Sequence, residues 1–398
     1  MKLSCRASLI KPSATLAITA KAKKLKSEGK NVVSFGAGEP DFDTPDYIKN
    51  AVKDALDKGQ TKYTPVSGID ELKTAIAEKF SADYGVKYEN SEIIVSCGGK
   101  HSLYNIFTAM LNDGDEIIVP SPYWVSYTEI IKLSGGVPVT ADTSKNNFKF
   151  SLELLEKSLT GKTRGVIINS PSNPTGVLMD EKDIIEISNF AKKRGLYIIT
   201  DDIYEKIIFD GKKFFNALMT DKSMKEYTVA VNAVSKTYSM TGFRIGYTAG
   251  PGDLIAAMNN IQSQSTSNPT TFAQYGALAA LKGGYEFSNM MRGEFQKRRD
   301  YMLDFFDKNI KSMIPVKPDG AFYLFVDISK VFGNLKNSSG DIINSSAEFC
   351  AYLLDKYLVA AVPGIEFGND NFIRLSFATG LDVIKEGLNR IKESVNSL

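Results

Sequence analysis

Between residue 47 and about residue 280 the chain alternates short apolar runs with amphipathic stretches. Ile93-Ile94-Val95-Ser96, Glu116-Ile117-Ile118-Val119, Gly165-Val166-Ile167-Ile168-Asn169 and Leu196-Tyr197-Ile198-Ile199-Thr200 are apolar at consecutive positions. That is the pattern of strands covered on both faces. The stretches between them, 102–111, 124–133 and 181–193, carry apolar residues at helical spacing. Val229-Ala230-Val231 and Ile245-Gly246-Tyr247-Thr248-Ala249 add two further strands. The alternation predicts an α/β fold, a mostly parallel sheet flanked by helices.

Past residue 285 the rhythm changes. A long charged helix over 286–307 leads to a strand at 321–326, a helix near 347–356, strands at 359–362 and 372–377, and a final helix from Leu381. These predict a smaller α+β domain. Helical spacing over 18–26 and a short strand at 32–35 assign the start of the chain to the same lobe. The expected division is an N-terminal segment (1–46) packing with the small domain, a large domain (47–284) and a small C-terminal domain (285–398).

Candidate chemistry gathers after the carboxyl ends of the predicted strands, where open α/β sheets bind ligands. In Ser235-Lys236-Thr237-Tyr238-Ser239-Met240-Thr241-Gly242-Phe243-Arg244, an amine precedes a guanidinium by eight residues, and the segment joins two core strands. Lys236 could form a Schiff base with an aldehyde, and Arg244 could grip a phosphate through paired hydrogen bonds. Pyridoxal phosphate carries both groups. Asp201 ends an apolar strand and is either a buried structural acid or the partner of a cation such as a protonated pyridine. Tyr204, three residues on, is either a core aromatic with a bonded tip or a phenol aimed at the same ring. Asn173 stands in a rigid turn, Ser170-Pro171-Ser172-Asn173-Pro174-Thr175-Gly176, which turn chemistry alone would explain. Gly98-Gly99-Lys100 joins a strand to a helix expected to begin near His101, and its backbone N–H groups suit a phosphate. Trp124, the single tryptophan, could stack on a flat ring or simply fill a core. Arg374 lies inside an apolar strand and requires a carboxylate, from the protein or from a ligand.

Composition narrows the classes. The chain has 398 residues, 43% of them hydrophobic, which is enough for more than one lobe. Its net charge of +2 gives no polyanion-binding surface, and the lysines at 21, 23, 24 and 26 read as the wet face of a helix. No nucleic-acid partner is expected. One histidine, His101, excludes a multi-histidine metal site, and no metal site is expected. Three separated cysteines give no disulfide or zinc spacing, so a reducing cytoplasm is the expected location. No apolar run reaches membrane-spanning length, and Met1-Lys2-Leu3-Ser4-Cys5-Arg6 opens no signal-peptide core. Gly36-Ala37-Gly38-Glu39-Pro40-Asp41 lacks the third glycine of a dinucleotide fingerprint.

Taken together, Ala37-Gly38-Glu39-Pro40-Asp41-Phe42, Thr61-Lys62-Tyr63, Tyr123-Trp124-Val125-Ser126-Tyr127, Asn173-Pro174-Thr175-Gly176, Asp201-Asp202-Ile203-Tyr204-Glu205, Ser235-Lys236 and Met240-Thr241-Gly242-Phe243-Arg244-Ile245-Gly246 resemble the fold-type I aminotransferases of the class I/II aspartate aminotransferase group. The resemblance runs over almost the whole chain. It implies pyridoxal 5′-phosphate bound to Lys236, which then shuttles a proton at the substrate α-carbon. Asp201 would pair with the pyridine nitrogen, Tyr204 and Asn173 would bond the ring oxygen, and Trp124 would stack on the ring. Gly99, Lys100 and Arg244 would surround the phosphate. Tyr63 would reach the phosphate of a partner subunit, which implies a homodimer with shared sites. Arg374, Asn173 and the Gly38 backbone would hold the α-carboxylate.

Two departures stand out. Many relatives place a serine three residues before the lysine; here it is Ala233, and Ser235 would supply the hydroxyl instead. The segment Ser263-Gln264-Ser265-Thr266-Ser267-Asn268-Pro269 lacks the arginine with which one branch binds a distal carboxylate. The chain is similar instead to the branch with Gly-Gly-Lys and with Lys11-Pro12-Ser13-Ala14-Thr15, where Lys100, Thr15 and Ser13 are expected near that carboxylate. The activity implied is transfer of the amino group of aspartate to 2-oxoglutarate by a ping-pong route. Prephenate or broader amino-acid transamination is the alternative. A β-eliminating lyase and a non-enzymatic regulator on the same fold are the rivals, the latter disfavoured because no spare DNA-binding segment is found.

Overall fold

The structure is a computed structural model that describes residues 4–10, 14–337 and 339–396. Its central sheet has seven strands, in the spatial order Ile93–Ser96, Gly246–Ala249, Thr228–Ala233, Tyr197–Asp201, Thr163–Asn169, Glu116–Ser121, Val137–Asp142. Gly246–Ala249 runs antiparallel to both neighbours, and the other pairings are parallel. Successive residues of each strand enter opposite cores, as a period of two requires. Ile117, Val119, Ile167 and Ile199 pack on one side with Leu103, Ile106, Phe107 and Ile131. Ile118, Val166, Ile168 and Ile198 pack on the other with Ile184, Ile187 and Ala191. Both faces are covered, so the strands are apolar throughout.

Val137–Asp142 has no counterpart in the sequence-based expectation. It is an edge strand with Pro138 and mostly accessible side chains, and an edge position needs neither a continuous apolar run nor every N–H. The helix expected near His101 begins earlier, at Gly99, because Gly98 takes φ 90° as its cap and leaves Gly99 and Lys100 inside the first turn. His101 Nδ1 accepts from the Cys97 N–H at 3.2 Å and so ties strand to helix.

A second sheet orders Val362–Pro363, Phe372–Ser376, Tyr323–Asp327 and Ile314–Val316, all antiparallel. The single strand expected over 359–362 is two short ones. Val359–Ala360 pairs in parallel with Val33–Ser34, and Val362–Pro363 joins the antiparallel sheet. The helix Ala14–Ser27 rests beside this junction, where Ala22 and Val32 pack on Leu354 and Ala360. The core of this lobe takes in Tyr204, Ile207 and Phe209 from the loop after Tyr197–Asp201. That shared core brings the small sheet against the carboxyl edge of the large one. Among the described residues, no helix is long and apolar enough to cross a membrane, and no group of His, Cys, Asp and Glu could hold a metal ion.

Candidate active site

The carboxyl ends of adjacent parallel strands place Asn169 directly opposite Asp201. Asn169 donates its amide to the Asp201 carbonyl at 2.8 Å, and its oxygen accepts from the Asn173 N–H at 2.9 Å. One side chain thereby aims the whole Asn173 turn at the strand edge. Tyr127 donates its hydroxyl to Asp201 Oδ2 at 2.6 Å. Burial raises the Asp201 carboxyl to about 6, against the lowering effects of the Tyr127 and Ile203 hydrogen bonds and of Lys236. A carboxylate whose charge burial makes this costly is stabilised in its ionised form by a cation placed beside it.

The strand Thr228–Ala233 runs into a single short turn of helix, Val234–Thr237, which turns Lys236 into the cavity. The Lys236 amine donates to the Gly38 carbonyl. Its pKa falls to about 8; burial is the main cause, Arg244 and Arg374 add to it, and Glu39 and Asp201 oppose it. Desolvation without a carboxylate partner is what makes an amine nucleophilic near neutral pH.

Arg244 sits at φ 57°, a left-handed position for a non-glycine residue. Its guanidinium donates to the carbonyls of Thr241 (2.9 Å) and Cys97 (3.4 Å). It lies so close over the Gly98 backbone that a Cβ there would come within 2.5 Å of Nη2. Gly98 is thus required twice, for its φ and for this approach. Arg374 is 2% exposed. It donates Nη1 to Asn173 Oδ1 at 3.0 Å and Nη2 to the Gly36 carbonyl at 3.3 Å, while Nε is buried with no partner among the described residues. Tyr323 and Phe367 sandwich it, with ring centres 4.3 and 5.0 Å from Cζ. Burial lowers its pKa from the ordinary arginine value. The Lys100 amine stands 5.1 Å from the Trp124 ring, its pKa lowered by burial and then by Arg244.

These groups line one cavity of about 360 Å³, which collects Gly38, Gly99, Lys100, Trp124, Asn173, Asp201, Tyr204, Ser235, Lys236, Arg244 and Arg374. Four of them are cations. Among the described residues none of the four is in a salt bridge. An apolar-walled cavity with four unpaired cations and one buried acid is built for a ligand carrying several negative groups and one positive one.

Tyr63 is not in this cavity. It is 91% exposed, beside a groove formed with Thr61, Lys62 and residues 266–272. Ser13 and the Thr15 side chain lie outside the described residues. The structure adds Tyr127, Asn169, Thr241 and Tyr323 to the site. Tyr127 stands inside a motif quoted above but carries no sequence mark of its role. Tyr323 sits in an apolar strand and reads as core.

Residues 30–391 match the family described as aminotransferase class I and II. The chain belongs to this family. It is 48% identical to the probable aspartate/prephenate aminotransferase of Rickettsia typhi, over all of this chain and 99% of that one. It is 46% identical to the aspartate aminotransferase of Bacillus subtilis, over 99% of each. The crystal structure of the aspartate aminotransferase from Rhizobium meliloti superposes with a TM-score of 0.95 at 41% identity, each chain covered in full. The protein is therefore an aminotransferase, and the mostly parallel sheet with its smaller lobe is the family's fold.

Proposed function

We propose that this aminotransferase moves the amino group of aspartate to 2-oxoglutarate with pyridoxal 5′-phosphate held in the cavity. The observation that carries this reading is the set of four cations outside any salt bridge, Lys236 among them, that share the cavity with Asp201. The residues fit the cofactor. Arg244, the Gly99 N-terminus of the helix Gly99–Met110, and Ser235 would hold its phosphate. Asp201 would face the ring nitrogen, Trp124 would cover one ring face, and Tyr204 and Asn173 would meet the ring oxygen. Bound there, the cofactor supplies a carbonyl for the amino nitrogen and a protonated ring that accepts electrons.

The remaining steps belong to the protein. Arg374, with its unpartnered Nε, and Asn173 bind the α-carboxylate and fix the α-carbon near Lys236. Lys236, an amine with pKa about 8, takes the α-carbon proton and later returns it. Lys100, with Thr15 and Ser13, takes the distal carboxylate. We assign Tyr63 to the neighbouring subunit's phosphate site, which makes the working unit a homodimer. Its exposure supports this. We also divide the chain at 46 and 284, and infer that the N-terminal segment and small lobe close over substrate. Cytoplasmic location is supported by Cys97 and Cys350, which are free thiols.

A prephenate-like substrate is the second reading. Lys100, Val125 and Ser126 also line an adjoining recess with Tyr123, Ile130, Leu133 and Ile365, space for a bulky ring beyond the distal carboxylate. The test is a half-reaction. Holoenzyme mixed with aspartate alone is expected to release one equivalent of oxaloacetate per site and lose its carbonyl-form absorption. Release of pyruvate and ammonia from a β-substituted amino acid, without that exchange, would make it a lyase. Lys100→Ala is expected to raise KM at least about tenfold for dicarboxylates, the loss of one charged hydrogen bond, and to leave alanine unchanged.

A further inference from the structure

The Tyr204 hydroxyl is within 2.8 Å of the Tyr323 hydroxyl, and either can be the donor. Both are buried, at 4% and 1% exposure, with their rings edge-on. Tyr323 also lies under Arg374: on the antiparallel pair Tyr323–Asp327 and Phe372–Ser376, Tyr323 faces Ser376 and Phe325 faces Arg374, so the tyrosine and the arginine are diagonal neighbours on one face. Tyr323 thus touches the group assigned to the cofactor oxygen and the group assigned to the α-carboxylate.

The contact between the two tyrosines is preset by the backbone. The loop after Tyr204 and the start of the Tyr323 strand are bonded to each other, Ala321 N–H to the Ile207 carbonyl at 2.9 Å and Phe209 N–H to the Asp319 carbonyl at 2.8 Å. Gly320 makes this possible, because a Cβ there would lie 2.4 Å from the Ile207 carbonyl oxygen. The junction holds the two backbones that carry the tyrosines at a fixed separation.

We propose that Tyr323 is a positioning residue that donates its proton to Tyr204 and so commits the Tyr204 proton to the cofactor's ring oxygen. The argument rests on the cofactor reading above and on proton counting. A phenol has one hydrogen. An anionic ring oxygen only accepts, so Tyr204 must donate to it, and the bond between the tyrosines must then run from Tyr323 to Tyr204. A hydroxyl that accepts a bond becomes a better donor. The charged groups around the pair are Arg374, Asp201 and Glu39, and none is altered by removing the Tyr323 hydroxyl.

A hydrogen bond to the ring oxygen spreads its negative charge and loosens its hold on the proton of the Lys236 nitrogen joined to the cofactor. Weaker donation by Tyr204 therefore moves the pH titration of the holoenzyme's visible absorption upward. Tyr204→Phe is expected to shift its midpoint up by about one unit, and Tyr323→Phe by about half a unit, the scale of a lost and a weakened hydrogen bond. Tyr204→Phe/Tyr323→Phe is expected to titrate with Tyr204→Phe alone, since Tyr323 acts only through Tyr204. Tyr323→Phe keeps the ring under Arg374, so KM for aspartate should stay within about twofold while kcat falls. A wild-type midpoint in Tyr323→Phe, or shifts that add in the double variant, would overturn the proposal. A wild-type holoenzyme with no pH-dependent visible band would instead overturn the cofactor reading beneath it.

Discussion

Two lysines, one on the helix Asp70–Tyr84 and one on the turn Val234–Thr237, are drawn out of water into opposite surroundings. Lys79, 9% exposed, forms ion pairs with Glu205 at 2.5 Å and Asp83 at 2.9 Å. Glu205 also accepts from Tyr84 and, at 2.9 Å, from Asn232; Asp83 also pairs with Lys206 at 2.9 Å and accepts from Tyr285 at 2.9 Å. Burial pulls the Lys79 pKa down, but Glu205, Asp83 and Tyr285 outweigh it and the net shift is upward. Lys236 has a carbonyl for a partner and its pKa falls. The same two segments feed both sites. Asp201 and Tyr204 go to the cavity while Asp202 and Glu205 go to the ion cluster, and Asn232 goes to the cluster while Lys236 goes to the cavity. A buried charge that is fully paired holds the strands in place. A buried charge left unpaired is available to a ligand.

The contrast breaks most visibly by mutation. Lys236→Ala is expected to cut kcat by more than about 10⁴-fold, the scale of a lost general base combined with a lost covalent anchor, and to abolish the visible absorption without lowering the urea midpoint of the apoenzyme. Lys79→Ala is expected to do the reverse. It leaves Glu205 buried without its cation, while Asp83 keeps Lys206, at a loss of about 3–5 kcal/mol, with half-reaction rates near wild type below the unfolding range. Equal losses of activity in both variants would show that the cluster is part of the catalytic apparatus.

The sequence distinguishes these lysines only halfway. Lys236 is legible because it follows an apolar strand in a connection between two core strands. Asp201, Asn173 and Arg244 are legible for the same reason, and the cavity brings them together with Arg374. Lys79 lies on the helix Asp70–Tyr84, where a lysine reads as a wet face, and its partner Glu205 is far away in the chain. Tyr127 and Tyr323 escape notice because a tyrosine among apolar residues looks the same whether its hydroxyl is structural or placed. The central strands and long helices follow from their periods. The edge strand Val137–Asp142 and the split at Ala361 do not, since both depend on which neighbour a strand finds and not on its own pattern.

The titrations should also run differently. In the apoenzyme the Lys236 amine is depressed to about 8 from 10.5. Below pH 8 both folded and unfolded chains hold the proton, and the full cost of burying the charge is present. Between 8 and 10.5 the unfolded chain binds a proton that the folded chain has lost, so stability contributed by this group rises with pH. Lys236→Met is therefore expected to exceed wild-type apoenzyme in thermal midpoint at pH 7, and the excess should shrink toward pH 10.5. The folded pKa of Lys79 is raised instead. Its contribution is complete below 10.5 and lost only as pH climbs through the folded value, so the deficit of Lys79→Met should stay flat over the same range. A flat curve for Lys236→Met would mean that its amine is not desolvated.

The smallest effect tests whether the cluster needs both acids. Asp83→Asn keeps the volume and, with its oxygen in the place of Oδ2, an acceptor for Lys79 and Tyr285; only the more accessible Lys206 loses its acceptor, and the Lys79–Glu205 pair stays intact at 2.5 Å. The buried amine therefore still has a carboxylate. The cost reduces to the difference between charged and neutral hydrogen bonds, about 1 kcal/mol in urea unfolding, with the half-reaction rate unchanged. Glu205→Gln removes the more deeply buried partner, whose side chain is 2% exposed against 15% for Asp83, and should be the more damaging of the two. If Asp83→Asn proved as destabilising as Lys79→Ala, the pairing would be a single cooperative unit of three charges, and one carboxylate would not be enough to make a buried lysine structural.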